Sequence, residues 1–514
     1  MLKLLCRIVI IPGKLKIKLL CRIVIIPDKL KIKLLCRIVI IPDKLKMKLV
    51  CKIMMMPGRK MTQAPKTLSK NFTEGNVGKQ LFVFAAPLFL SNLLQVVYNL
   101  VDMIIVGKAM GQVGLSAVSV GGDISNLFTF WSMGLANAGQ VIISQYIGAK
   151  KNQQVGQFIG TMTTFLLSIA VALTILGLLF RNELLWLMHT PAECYDEALA
   201  YAATCMAGLV FIYGYNIVGG ILRGMGDSKH PFYFISIAAL LNIFLDMLFV
   251  FKFNWGAFGA ALATVISQGF SFLFAVHFLY LNRYKLGFEL DRSCFGINQE
   301  MLMQLLRLGL PMAIKQSSVQ FSKLFINSWI NSFGVTVSAV AGIGNKLNTV
   351  SNLISNSLNT AGASMVGQNI GAGKFKRVPK IILWVFAVTL SMSLILSSLM
   401  YFYPEQIFLL FTDDRSIIKV AMEFVPVAYL IFLGSACRAP MNALINGSGN
   451  YKVNFAVAML DGIILRIGLA MLFGVYMGKG YLGFWYGDAF AGFTPLWVGA
   501  IYYYTGAWKK SIVQ

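Results

Sequence analysis

Beyond residue 80 the chain is a succession of apolar runs separated by short polar connections. Twelve runs can be placed, at 81–106, 114–147, 155–180, 195–222, 232–252, 257–282, 305–333, 338–367, 378–402, 418–446, 452–474 and 481–506. A helix rises about 1.5 Å per residue, so about 20 apolar residues cover the hydrocarbon core of a bilayer. Lipid offers backbone amides no partner outside the segment, which makes such runs helical. The pattern predicts an all-α polytopic membrane protein of twelve transmembrane helices.

The connections set the orientation. From a cytoplasmic N-terminus, 18 Lys and Arg fall on the inner side and six on the outer, namely Lys108, Arg181, Lys252, Arg415, Lys419 and Lys479. Basic residues are retained inside, so an even number of spans with both termini cytoplasmic is expected.

Composition agrees: 57% of residues are hydrophobic and 13% charged, against about 25% charged in soluble domains. The net charge of +25 would by itself suggest a polyanion, but 16 of the 45 Lys and Arg lie before Met61, beside only Asp28 and Asp43. The remaining excess is the loop asymmetry, and no nucleic-acid partner is expected.

The segment before Met61 follows another rule. "KLLCRIVIIPGKLKI" (3–17) recurs at 18–32 and 33–47 and decays at 48–61, so that Cys6, Cys21, Cys36 and Cys51 are evenly spaced. Each unit is too short to span hydrocarbon. Near-identity points to a recently duplicated stretch, so positions 1–60 are read as outside the working protein, which would start at Met61; a basic membrane-surface segment is the alternative. The other cysteines, Cys194, Cys205, Cys294 and Cys437, have no metal-ligand spacing.

The two halves repeat one another. "SQYIGAKK" (144–151) returns as "GQNIGAGK" (367–374), "LRGMGDSK" (222–229) as "INGSGNYK" (445–452), and "AAPLFLSN" (85–92) as "GLPMAIKQ" (309–316). Six spans separate the copies, so both have the same orientation and an axis along the membrane normal relates them. The expected divisions are an N-lobe (75–282), a cytoplasmic linker (283–304) and a C-lobe (305–510).

"PLFLSNLLQVVYNLVDMIIVGKAMGQVGLSAVSV" (87–120), the "QYIGAKK" and "RGMGDSKHP" loops, "LNIFLDMLFVFKFNWGAFGAALATVISQ" (241–268) and "GYLGFWYGDAFA" (480–491) resemble the multidrug and toxic compound extrusion (MATE) family. The resemblance covers about 75–510. It implies two six-helix lobes and a secondary antiporter of a prokaryotic plasma (inner) membrane. Such an antiporter exports amphiphilic, often cationic compounds in exchange for H⁺ or Na⁺ by alternating access. It would be a monomer among lipids, with no cofactor beyond the coupling ion.

Charges inside spans cost several kcal/mol and usually face a cavity. Asp102 and Asp246 are such residues, and Asn242 lies four before Asp246 on one helical face. The resemblance implies that Asp102, Asn242, Asp246 and Thr264 form a cation- or proton-coupling site; a capping or bridging role between helices is the alternative. Two carboxylates in one dry pocket repel, so one holds a proton, and a sodium ion would satisfy them equally well. Tyr98, Trp131, Met133, Tyr213 and Tyr215 are candidates for an amphiphile pocket. Lys315, Asp461 and Arg466 are further candidates, the last two equally readable as a structural ion pair. Asp123 and Asp488 are weaker ones. Some members of the family that the chain resembles carry a Glu on the seventh helix for a C-lobe cation site; the seventh span here offers Lys315 and Lys323 but no acid, a departure that argues against a C-lobe sodium site.

No P-loop, HExxH or GxSxG motif is present, so nothing points to an enzyme. The rival reading is a flippase for a lipid-linked envelope precursor, which would call for added helices and a strongly basic cavity.

Overall fold

The computed structural model describes short stretches within residues 4–39 together with residues 69–289 and 291–513. The chain divides into two units, Met1–Lys66 and Thr67–Gln514. In the first, β1 (Leu4–Val9), β2 (Lys18–Ile23) and β3 (Leu35–Val39) form an antiparallel sheet in that order. Cys6 stands opposite Cys21, and Cys21 opposite Cys36, so the sequence repeat becomes a register repeat. Whether these repeats belong to the working protein lies outside the described residues.

The second unit is helical. Its first half holds α1 (Val77–Gly148), α2 (Asn152–Leu179), α3 (Tyr195–Ala207), α4 (Leu209–Gly224), α5 (Lys229–Asp246) and α6 (Gly256–Leu286). Helix α1 is two spans: Gly111, at φ 63° and ψ −144°, breaks it into two arms. Helices α3 and α4 are one span bent by 48°. The second half holds α7 (Gln299–Asn331), α8 (Val335–Gly371), α9 (Val378–Phe402), α10 (Arg415–Ser448), α11 (Tyr451–Met459), α12 (Leu465–Met471), α13 (Gly480–Ala491) and α14 (Thr494–Thr505). A π turn, Leu460–Ile464, joins α11 to α12, and only Gly492 and Phe493 separate α13 from α14, which are taken together as the last column.

Among the described residues, seven helices are long and apolar enough to cross a membrane, and the bent pair makes an eighth. With α1 taken as two arms and with α7, α8 and α13–α14 added, six columns stand in each half, as the sequence pattern predicts. Helices α7 and α8 are less apolar because they carry stretches such as "IKQSSVQFSK" and "NTVSNLISNSLNT".

The internal repeat is visible in small features. Pro87 and Pro311 sit inside the opening helices of the two halves. Asn76 caps α1 by accepting from the Lys79 amide at 2.9 Å, and Asn298 caps α7 by accepting from Met301 at 3.1 Å. Gly226 and Gly449 both take positive φ, 82° and 73°, before α5 and α11.

The linker is shorter than its expected span, because α6 runs to Leu286 and α7 starts at Gln299. What remains packs on α2: a Cβ at Gly156 or Gly160 would stand 2.0 Å from the Glu289 or Cys294 carbonyl oxygen. The core is exchanged between the halves. Leu81, Phe84 and Leu88 of α1 pack with buried residues of α8, α9 and α10, while Leu305, Leu308 and Met312 of α7 pack into the core of the first half.

Candidate functional site

Along the first arm of α1, Ser91, Gln95, Tyr98 and Asp102 recur at helical spacing and so share one face. They line a cavity of about 450 Å³ in the first half. Asp123 and Asn137 from the second arm, Arg223 from α4 and Thr264 and Gln268 from α6 are among the other polar residues of its wall. Arg223 donates from Nε to Gln140 Oε1 at 2.8 Å.

Asp246 is the last residue of α5, directly before the π turn Met247–Lys252, a turn of the kind that often marks functional sites. It is 0% exposed, and neither carboxylate oxygen has a hydrogen-bond partner. Asp102 is 8% exposed, its Oδ1 equally without a partner, and the two carboxylates are near enough to interact. Asn242, one turn before Asp246, donates from Nδ2 to Thr264 Oγ1 at 3.4 Å and leaves its own Oδ1 unpaired. Asp102 and Thr264 are on the cavity wall; Asn242 and Asp246 are buried next to it. Four unsatisfied buried oxygens in one cluster are costly. A bound proton or an oxygen-seeking cation would relieve that cost.

Of the amphiphile candidates, Tyr98, Met133 and Tyr215 line the cavity. Trp131 is exposed and off its wall. Tyr213 is fully buried, its hydroxyl donating to the Phe128 carbonyl at 2.9 Å, so it holds α4 against α1 instead. Lys315 is in the second half and donates to Asn442 Oδ1 at 2.7 Å. Asp461 and Arg466 form a buried ion pair at 2.7 Å, and Arg466 also binds Asp488.

A missed signal explains the difference between the halves. "LNIFLDMLF" (241–249) and "LRIGLAMLF" (465–473) align, so Arg466 stands where the first half has Asn242, Ala470 where it has Asp246, and Asp488 where it has Thr264. Between the 450 turn and Arg466 the offset grows from 223 to 224, and the one-residue insertion is taken up by the π turn Leu460–Ile464. The amides Gln95, Asn137 and Gln268 were also missed; their spacing against α1 and α6 is readable, but neutral amides stand out less than charges in an apolar run.

At the end of the bundle that carries both described termini, the halves meet through the two repeated loops. A Cβ at Gly148 would stand 2.1 Å from the Gln368 carbonyl oxygen, and one at Gly371 would stand 2.2 Å from that of Gln145. Gln145 accepts from the Ile512 amide at 2.9 Å, and Gln368 from the Phe72 amide at 2.9 Å. Lys151 donates to the Val513 carbonyl at 2.6 Å and Lys374 to that of Thr73 at 3.1 Å. Each half thus holds the terminal segment attached to the other.

The MatE family model matches the chain twice, over residues 87–248 and 311–472, two stretches of equal length. The probable multidrug resistance protein YpnP of Bacillus subtilis is 28% identical over 440 residues, 85% of this chain and 97% of that one. The probable multidrug resistance protein YoeA of the same organism is 29% identical over 459 residues, 87% and 98%. A solved MOP superfamily transporter from Pyrococcus furiosus, described by the reverse polarity of its binding pocket, has a TM-score of 0.80 at 23% identity, covering 87% of this chain and all of that one. A crystal structure of MATE in the straight conformation fits equally well, with a TM-score of 0.80.

Proposed function

Since the chain belongs to the MatE family of membrane transporters, we propose that it exports amphiphilic, often cationic compounds from the cytoplasm in exchange for H⁺ or Na⁺. Multidrug resistance is the role in the names of its relatives. The observation that carries the antiport reading is Asp246, fully buried with both carboxylate oxygens unpartnered, beside Asp102 on the wall of a polar cavity. A carboxylate left so in a membrane-embedded bundle calls for a proton or a cation. Asp246 would be the principal coupling acid, Asp102 its partner, and Asn242 and Thr264 oxygen ligands when the ion is sodium.

Alternating access finds support in the termini-bearing end, which is closed by glycine-mediated backbone contacts that two rigid halves can break together. The basic loops lie at that end, so it would face the cytoplasm of a prokaryotic cell. A flippase is less favoured, because Asp102 and Asp123 share the cavity wall with Arg223.

The test is dye efflux from proteoliposomes under separately imposed proton and sodium gradients. Export driven by one of them, and lost in Asp246→Asn, is the expected result; export driven by neither would end the antiporter reading.

A further inference from the structure

The interior of the second half holds four basic side chains, Arg466 buried and Lys315, Lys323 and Arg438 half-buried, against two acids, Asp461 and Asp488. Arg466 engages both Asp461 and Asp488. Lys315, Lys323 and Arg438 stand near this group, yet among the described residues none of the three forms an ion pair with a carboxylate. Lys315 is bonded to the neutral Asn442 Oδ1, and Arg438 to the neutral Asn352 Oδ1 at 2.6 Å. Uncompensated cations inside a membrane-embedded bundle are unfavourable, and a counter-charge from outside the chain would offset that penalty.

A place for such a counter-charge exists. Lys323 lines a small cavity of about 30 Å³ together with Asn327, Asn345, Asn348, Trp485 and Asp488. Trp485 is 4% exposed, and its Nε1–H, a group that can only donate, has no acceptor. Asp488 is the one acid on this wall; it binds Arg466, and the same charge is shared with Lys323, so one carboxylate serves two cations. The wall thus carries an ammonium and an orphan indole N–H, which can only donate, with three amides that can donate or accept. The volume admits a group the size of one or two waters, not a whole drug.

We propose that this cavity binds a small monovalent anion, either a free halide or the carboxylate of a transported amphiphile, with Lys323 and Trp485 as its donors. Only the carboxylate arm rests on the transporter reading, and it widens the substrate class to amphiphiles that carry a carboxylate. In the first half the equivalents of Lys323 and Trp485 are Asn99 and Ala261, so the site belongs to one half alone.

The test uses the purified full chain without any ion gradient, so that its outcome is independent of coupling. Thermal unfolding is followed in chloride against gluconate at equal ionic strength, and with a carboxylate-bearing amphiphile against its methyl ester. A midpoint raised by chloride identifies a free-anion site; one raised by the carboxylate but not the ester, with chloride inert, identifies a substrate subsite. In either case Lys323→Gln should weaken binding about tenfold or more, Trp485→Phe by a smaller factor, and Lys346→Gln, an exposed lysine off the cavity, not at all. The proposal is overturned when neither anion stabilises the protein, or when affinity is unchanged in both Lys323→Gln and Trp485→Phe.

Discussion

The two halves share one helical frame but carry different charge. In the first half, Asp246 and Asp102 are acids without a cationic partner. In the second, the corresponding helices hold Arg466, Ala470 and Ile326, and Asp488 stands where Thr264 does. One lobe keeps a negative charge unsatisfied; the other consumes its acids in an ion-paired cluster and is left with surplus lysine and arginine. Duplication therefore conserved packing, with proline, glycine and cap positions in common, while the polar positions diverged. An unsatisfied charge is what an ion can bind and leave. A paired one contributes rigidity.

The largest contrast comes from removing the central group of each cluster. Asp246→Asn has no protein partner to lose, so the variant should fold and reach the membrane, with gradient-driven export falling to background in proteoliposomes. Full export by a well-expressed variant would transfer the role to another acid. Arg466→Met should do the reverse: stranding Asp461 and Asp488 costs roughly 3–5 kcal/mol, seen as a lower unfolding midpoint and poor yield. Adding Asp461→Asn and Asp488→Asn to Arg466→Met should restore most of that stability, and no recovery would show that the arginine acts otherwise than by pairing.

Asp102→Asn should reduce coupled export less than Asp246→Asn, because one acid remains; equal and complete loss would mean that the two titrate as a single unit. Gly148→Ala and Gly371→Ala test what the halves still share. Each places a Cβ about 2 Å from a carbonyl oxygen across the seam, so each should disfavour the closed end by roughly 1–3 kcal/mol, read as slower transport and faster labelling of a cysteine introduced at Thr360, the residue of α8 on the wall of the cavity that holds Asp102. Unequal effects would break the symmetry of the gate. The smallest effect is expected from Lys315→Gln, which should alter the preference among substrates while the ion dependence stays as it was.

Much of the site is legible in the sequence. Asp102 and Asp246 stand out because a carboxylate in an apolar run is costly, and Asn242 follows from its four-residue spacing. Asp461 and Arg466 can be read there as a pair or as substrate contacts. The choice depends on Asp488, which reaches Arg466 from another helix. Tyr213 reads as a cavity aromatic because rotation about a helix axis is uncertain when every face of a span is apolar. Its hydroxyl bond to Phe128 decides the matter.

The sequence by itself determined the number of spans, their ends to within a few residues, the twofold repeat and which acids lie inside spans. These follow from local terms: hydropathy over a helix length, glycine and proline backbone preferences, and the penalty on an isolated charge in lipid. Tertiary structure alone decided the exchange of α1 and α7 between the two cores, the crossed grip of Gln145 and Gln368 on the terminal segments, and the orphan Trp485 beside Lys323. Each of these joins residues far apart in sequence through contacts only a few Å long, and no periodicity within a single helix encodes which partner it will meet.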